Sequence, residues 1–353
     1  MAKGIETLNY IRQEGSELYR STIPVATETN IREIGDLLFN ENYSVQLNEF
    51  VSTLVNRIAL TKITNKTFSN PLAIFKKGSV PYGTDIQDIY ENPAKKEQYE
   101  YSNSAMAKLL TITDPDTNVA YYRLNRQELY TKTISREGLK QAFVSAEKFD
   151  EYISAITNSL YSGNYIDEYK YTKDLLDGAY ENNKMIIDTV SAVTDTATAK
   201  ALVKKCRSLF LKMQSPSDEY NAFSKLSVTD SDTDGKTVTT WTDSDRICVI
   251  TTADVMSEVD VESLASAFNL SKADFMGRVI VIDKFDNEEI QAVICDEAFL
   301  QIYDNLFRFD EFYNARVMAW NLYLHSWNTF AISPFANAVC LATSLPDTDT
   351  DTN

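Results

Sequence analysis

The sequence predicts an α+β protein, and three observations carry that prediction. An apolar stripe at three- and four-residue spacing runs from Leu139 to Leu160, the mark of a long amphipathic helix. From residue 246 onward, short β-branched and aromatic runs alternate with a helical pattern, as in a mixed sheet-and-helix unit. Between residues 66 and 132 stands a turn-rich, tyrosine-rich excursion with little core of its own. A connection that long inside a compact domain needs a function or a partner to explain it.

Taken in order, residues 1 to about 60 read as an N-terminal arm and a helical entry. Thr29-Asn30 is placed to cap a helix beginning at Ile31, with Glu33 and Asp36 in its first turns. Phe50, Leu54, Val55 and Ile58 then recur at helical spacing. The excursion follows, its turns marked by Asn70-Pro71, Lys77-Gly78, Tyr82-Gly83, Asn92-Pro93 and Asp114-Pro115, and it reads as a long twisted hairpin. Ser135 caps the long helix, whose buried side is Leu139, Ala142, Phe143, Ala146, Phe149, Ile153, Ile156 and Leu160. After Gly163 a stretch with Ile166, Tyr169, Leu176 and Ala179 either continues that helix or kinks it. A further helix presents Leu202, Cys206, Leu209, Phe210 and Met213 on one side, and a polar insert covers 215–245. Strands are expected at 246–252, 279–282 and 290–295, with a helix over 254–268. Aromatic strands close the pattern at 319–327 and 330–343, the second interrupted at Ser333-Pro334. The acidic repeat at 347–353 is expected to be disordered.

Composition narrows the function. Lys and Arg number 34 against 51 Asp and Glu, a net charge of −17, which excludes a generally basic nucleic-acid coat. One histidine, His325, excludes sites built on several imidazoles, and the 10 glycines include no phosphate-cradling motif. Cys206, Cys248, Cys295 and Cys340 lie far apart among apolar neighbours and read as buried small hydrophobes of a chain folded in a reducing cytoplasm. The first residues lack the apolar core of a signal peptide, and no apolar run is long enough to span a membrane.

Four features merit weighing as sites. Asp230, Asp232 and Asp234 before Gly235 match the first half of a calcium loop, but the twelfth position is Trp241 where a bidentate Glu belongs. An acidic hairpin tip explains them better. Lys200, Lys204, Lys205, Arg207 and Lys212 make one helix basic, a face open to scaffold, DNA or an acidic neighbour. His325 has neither a nucleophile motif nor an orienting acid in its sequence neighbourhood, and reads as a core or interface residue. The 20 tyrosines are the remaining anomaly. Large rings with a polar handle favour interfaces, and an excursion unable to bury them points them at other subunits. The contact candidates are Phe75, Lys76, Lys77, Tyr82, Tyr90, Tyr99, Tyr101, Tyr121, Tyr122 and Arg126. No catalytic constellation and no cofactor site emerges.

Several segments together resemble one family. Asn70-Pro71-Leu72, Phe75-Lys76-Lys77-Gly78, Pro81-Tyr82-Gly83, Ile86 and Ile89-Tyr90 are similar to the extended-loop entry of major capsid proteins of phi29-like short-tailed phages. So are Asn125-Arg126-Gln127, Tyr130 and the run from Leu139 to Ser145. Ala265-Ser266-Ala267-Phe268-Asn269, Asp274-Phe275-Met276-Gly277 and Val281-Ile282-Asp283 continue the likeness. Tyr303-Asp304-Asn305-Leu306 and Phe335-Ala336-Asn337-Ala338-Val339 carry it on, so that residues 20–343 match in order.

The resemblance implies a Hong Kong 97-like capsid fold. It implies an N-terminal arm and helix at 1–60, an extended loop at 61–134 lying over a neighbouring subunit, and a peripheral-domain spine helix at 135–183. An axial domain at 184–305 and peripheral return strands at 306–343 complete it, with the acidic tail at 344–353. The implied function is a major head protein of the virion, made in the host bacterial cytoplasm. It would self-assemble without covalent cross-links into hexamers and pentamers of an icosahedral or prolate shell. Scaffolding protein, portal and packaged double-stranded DNA, bound without sequence preference, are the implied partners, and no membrane is. Some relatives carry an added C-terminal immunoglobulin-like domain; this chain stops at Asn353, so no role of that domain is carried over. The rival readings are an encapsulin-like nanocompartment shell and, in another class, a calcium-binding protein using the loop from Asp230 to Gly235.

Overall fold

A computed structural model describes residues 3–40, 44–60, 68–81, 83–96, 112, 114–226, 237–258 and 279–346. The order begins with helices α1 (Lys3–Glu14), α2 (Glu17–Thr22), α3 (Ile31–Leu38) and α4 (Ser44–Leu60). Side chains clasp this arm: the Asn9 amide donates to the Ala26 carbonyl at 3.0 Å and accepts from the Ala26 N–H at 2.7 Å. Arg12 Nε donates to the Ile23 carbonyl at 2.7 Å. Asn30 does stand at the N-cap of α3 but makes no side-chain capping bond. Its amide is spent on the preceding turn, accepting from Thr27 N–H and donating to the Val25 carbonyl.

Next come β1 (Lys76–Ser79), β2 (Ile86–Glu91), β3 (Thr117–Tyr122) and β4 (Arg126–Ser135). Two helices follow, α5 (Arg136–Ala142) and α6 (Ala146–Glu181). Ser135 caps α5 through the Gly138 N–H, as its spacing predicts. The predicted single helix is therefore interrupted at 143–145, where Ser145 starts a new one by accepting from Lys148 N–H at 3.3 Å. Beyond that break α6 runs unbroken for 36 residues. Gly163 lies within it, where a Cβ would meet the Tyr130 ring at 3.3 Å; the glycine allows close packing rather than a kink.

The second half contains β5 (Ile186–Thr189), α7 (Thr196–Met213), α8 (Ala222–Leu226), β6 (Ile247–Thr252), α9 (Ala253–Glu258) and β7 (Val279–Ile282). It ends with β8 (Ile290–Asp296), β9 (Leu300–Asn314), β10 (Ala319–Ile332) and β11 (Ala338–Ala342). The helix expected over 254–268 is described only as far as Glu258, and the tail from 347 lies outside the described residues.

Two larger sheets organise the chain. One has the order β1-β9-β10-β4, the other β5-β11-β8-β6-β7, and β2 pairs with β3 as a separate ribbon. The sequence reading groups 306–343 as one set of return strands, whereas β11 lies in the five-stranded sheet between β5 and β8. Every residue of β8 and β11 is buried. That burial on both faces explains the unbroken apolar runs at 292–295 and along β11, since a strand covered on two sides has no polar alternation.

Three apolar clusters fill the layers. The first joins α1, α3 and α4 to the start of α6 and to the inward residues Trp320, Leu322 and Leu324 of β10. At its centre the rings of Phe50, Phe143 and Phe149 pack with centroids 5.0–6.2 Å apart. The second sets Leu176, Ala179 and Tyr180 of α6 against one face of the five-stranded sheet. The third packs Leu202, Cys206, Leu209, Phe210 and Met213 of α7 on the opposite face. All four cysteines are buried and free. The α6 helix thus spans both cores, and between them it buries Asn164, Glu168, Thr172, Lys173 and Asp177.

Candidate assembly surface

The β2–β3 ribbon has two faces because strand residues alternate. Its inward face rests on the body of the same chain. Tyr122 is buried and donates to Asp88 Oδ2 at 2.6 Å, an atom that also accepts from Ser333 Oγ at 2.8 Å. Burial and the Asp88 carboxylate both hold that phenol above its ordinary pKa. The Tyr90 ring stacks on Phe335 at 5.8 Å, and its hydroxyl donates to the Thr239 carbonyl at 2.5 Å. Asn92 adds bonds to Thr237 and Thr239, so the ribbon is moored along its length.

The outward face is left bare. Ile89 and Val119 stand directly opposite each other across the ribbon, and they are 57% and 41% exposed. Tyr121, paired with Gln87, is 63% exposed. Among the described residues, this apolar cross-strand pair and the open tyrosine beside it have no covering segment. A second bare apolar patch lies around the β9–β10 turn, where Phe312, Val317 and Met318 are 47–62% exposed.

The other contact candidates are placed as follows. Phe75 is fully buried in the second core. Lys76 Nζ lies 3.0 Å from both Glu168 and Asp304 carboxylates. Burial alone would lower that ammonium's pKa, but the two carboxylates outweigh it and hold it above the ordinary lysine value. Lys77 Nζ donates to the Glu297 carbonyl at 2.8 Å. Arg126 is buried where β4, α6 and β10 meet, bonding Glu128, Tyr130 and Asn328 at 2.6–3.0 Å. Its guanidinium carbon also lies 4.9 Å from the Tyr171 ring centroid. Burial pushes the Glu128 carboxyl up, yet bonds from Arg126, Tyr171 and Tyr130 more than reverse this and leave its pKa low. These groups have partners in their own chain, and of the ten candidates Tyr121 is the one the structure describes as openly exposed. Tyr82, Tyr99 and Tyr101 lie outside the described residues, as do Asp230, Asp232 and Asp234.

His325 projects from β10 with Nε2 3.5 Å from Asp310 Oδ2, and Arg308 donates to the same carboxyl group. Among the described residues no serine or cysteine nucleophile joins it in a bond. Among the described residues no cluster of His, Cys, Asp or Glu is arranged to hold a metal ion, and no helix is long and apolar enough to cross a membrane. Sequence reasoning overlooked Ile89, Val119 and Phe312. The signal for Ile89 was present in the alternation of Ile86-Gln87-Asp88-Ile89-Tyr90, which sets Ile89 on the face opposite Asp88 and Tyr90.

Comparison with known proteins places this geometry. A family model described as Phi29-like phage major capsid protein matches residues 8–342. The chain is 38% identical to the major capsid protein of Bacillus phage GA-1 over 301 residues, covering 84% of this chain but 61% of that relative. Against the major capsid protein of Bacillus phage PZA it is 35% identical over 345 residues, covering 96% of this chain and 73% of the relative. The chain therefore spans less than two thirds of the GA-1 protein's length. Among solved structures, a chain in the capsid of Staphylococcus phage Andhra superposes with a TM-score of 0.63 at 16% identity, covering 80% of this chain and 88% of that one.

Proposed function

We propose, from the premise that this chain belongs to the Phi29-like phage major capsid protein family, that it is the head protein that builds the shell around phage DNA. Its architecture is the Hong Kong 97-like capsid fold. The carrying observation is the moored ribbon with a bare apolar face: Ile89, Val119 and Tyr121 are held in place on one side and offered to a neighbour on the other.

In this reading 61–134 is the extended loop, and α7 with β5, β6, β7 and β8 forms the axial unit within 184–305, its sheet completed by β11 from the return segment. Helix α6 with β10 and most of β9 forms the peripheral unit from 135–183 and 306–343, β1 and β4 at the ends of the loop segment edge its sheet, and residues 1–60 are the arm. The mechanism is geometric rather than chemical. Each contact is modest, but a closed symmetric shell repeats it on every subunit, so effective concentration makes the whole stable. Assembly is noncovalent, proceeds through hexamers and pentamers in the host cytoplasm, and uses a scaffolding protein and a portal. The net charge of −17 fits a wall that lets packaged DNA slide past, because it repels phosphate instead of gripping it. No enzymatic step is assigned to the chain.

The test is expression of the full chain with and without a scaffolding protein, followed by negative-stain electron microscopy. Closed shells or capsomer-sized rings are expected. A monomer at every salt and protein concentration, scaffold included, would overturn the proposal.

A further inference from the structure

We infer that the exposed basic stripe of α7 docks on an acidic lip of a second copy of this chain; this rests on the capsid reading and identifies one contact inside it. Lys200, Lys204, Arg207 and Leu211 follow one another at spacings of four, three and four, so they share one face of α7, and all are exposed. Lys205, to the side, is tied to Asp188 at 2.5 Å. Among the described residues Lys200, Lys204 and Arg207 have no ion-pair partner.

Such a stripe is unusual on a chain of net charge −17. Copies of an acidic protein repel one another, and approach requires a surface whose local potential is opposite to the bulk. The complementary surface is on the same chain. The Ser217–Thr240 bridge sets Asp218 beside the segment that carries Trp241, Asp243 and Asp245. That segment is anchored where α7 ends, by the Thr242 N–H donating to the Met213 carbonyl at 2.8 Å. Asp218, Asp243 and Asp245 are exposed.

Each surface also carries an apolar anchor. Leu211 is 53% exposed on the stripe and Trp241 48% exposed on the lip. Charged rims around an apolar contact are the composition of a protein interface, whereas a phosphate-tracking surface needs cations without such a partner. Because stripe and lip are different patches, their contact is head-to-tail, the kind that closes into rings.

The arrangement makes a test that folding defects cannot imitate. Lys204→Glu with Arg207→Glu makes a stripe-reversed chain, and Asp243→Lys with Asp245→Lys makes a lip-reversed chain. Each is purified alone, checked by circular dichroism for an unchanged melt, and examined by sedimentation and electron microscopy beside the unaltered chain. Each alone sets like charges face to face and is expected to assemble at least about tenfold less. Mixed one to one, the two restore opposite charges at every contact of an alternating ring. Six-membered rings return, and five-membered rings, which alternation cannot close, do not.

Normal assembly of either variant alone overturns the inference and leaves the capsid reading standing. So does failure of the mixture while both variants melt normally. Unchanged shells with less packaged DNA would assign the stripe to phosphate and overturn it equally. If the unaltered chain itself fails to assemble with scaffold present, the capsid reading falls and the inference with it.

Discussion

Replacing Lys76 with methionine separates a contact within the subunit from one between subunits. The ammonium sits 3.0 Å from Glu168 and 3.0 Å from Asp304. The Glu168 side chain is only 3% exposed, whereas that of Lys76 is 25% exposed. Removing the cation leaves a buried carboxylate facing a second one. Breaking a buried pair in this way costs about 3–5 kcal/mol, and the partial exposure of Lys76 puts the expected loss at the lower end, about 3 kcal/mol. With a urea slope of about 3 kcal/mol/M the midpoint of the dissociated subunit falls by about 1 M. The assay is urea unfolding of that subunit followed by tryptophan fluorescence. Adding Glu168→Met should recover most of the loss, because the charge no longer needs a partner. An unchanged midpoint together with lost assembly would refute the reasoning and make Lys76 a residue of the neighbour's surface.

Three other perturbations probe the layers. At Gly35 an added Cβ would lie 2.6 Å from the Phe143 Cβ, so Gly35→Ala should cost about 1–3 kcal/mol through overpacking, read as a lower thermal midpoint. Ser145→Ala removes the acceptor for the Lys148 N–H at the start of α6 and should cost about 1 kcal/mol in the same measurement. Asp283 lies beside Lys173 and Tyr169. Burial raises its carboxyl pKa, but bonds from Tyr169 and Lys173 outweigh that and bring it to about 2. A depressed carboxylate stabilises the fold above its unfolded pKa of about 4, and the contribution is lost as pH falls through about 2. Asp283→Asn should therefore flatten the acid limb of a urea-midpoint profile between those values, and an unaltered limb would refute the assignment.

Legibility in the sequence followed burial. The first half of α6 was readable because Phe149, Ile156 and Leu160 are apolar and buried, and period then equals structure. Its second half was ambiguous because the buried side carries Asn164, Glu168, Thr172, Lys173 and Asp177. Several of those groups meet residues distant in sequence, Lys76 for Glu168, Asp283 for Lys173 and Arg126 for Asn164, and no local pattern announces such partners. The strand β9 was similarly hidden: only its first residues alternate between buried and half-buried, and the rest are open or half-open. For the assembly surface, the excursion was legible as a hairpin. Which of its rings face inward was not, because Tyr90 finds Phe335 and Tyr122 finds Asp88 and Ser333 only once the ribbon folds back on the body.

The place of β11 bears on when a newly made subunit becomes usable. In the five-stranded sheet it separates β5 from β8, pairing residue 339 with residue 186 on one side and residue 294 on the other. A ribosome delivers the chain from its N-terminus, so β5 waits for almost half of the sequence before its neighbour exists. Closing so long a loop makes this pairing late and slow. Until it happens α7 has only part of the sheet to pack against, since Val339 and Leu341 belong to the core that α7 covers. The strand therefore sets an order of events: until residues 338–342 are made, the five-stranded sheet lacks its link between β5 and β8, and the core beneath α7 stays open.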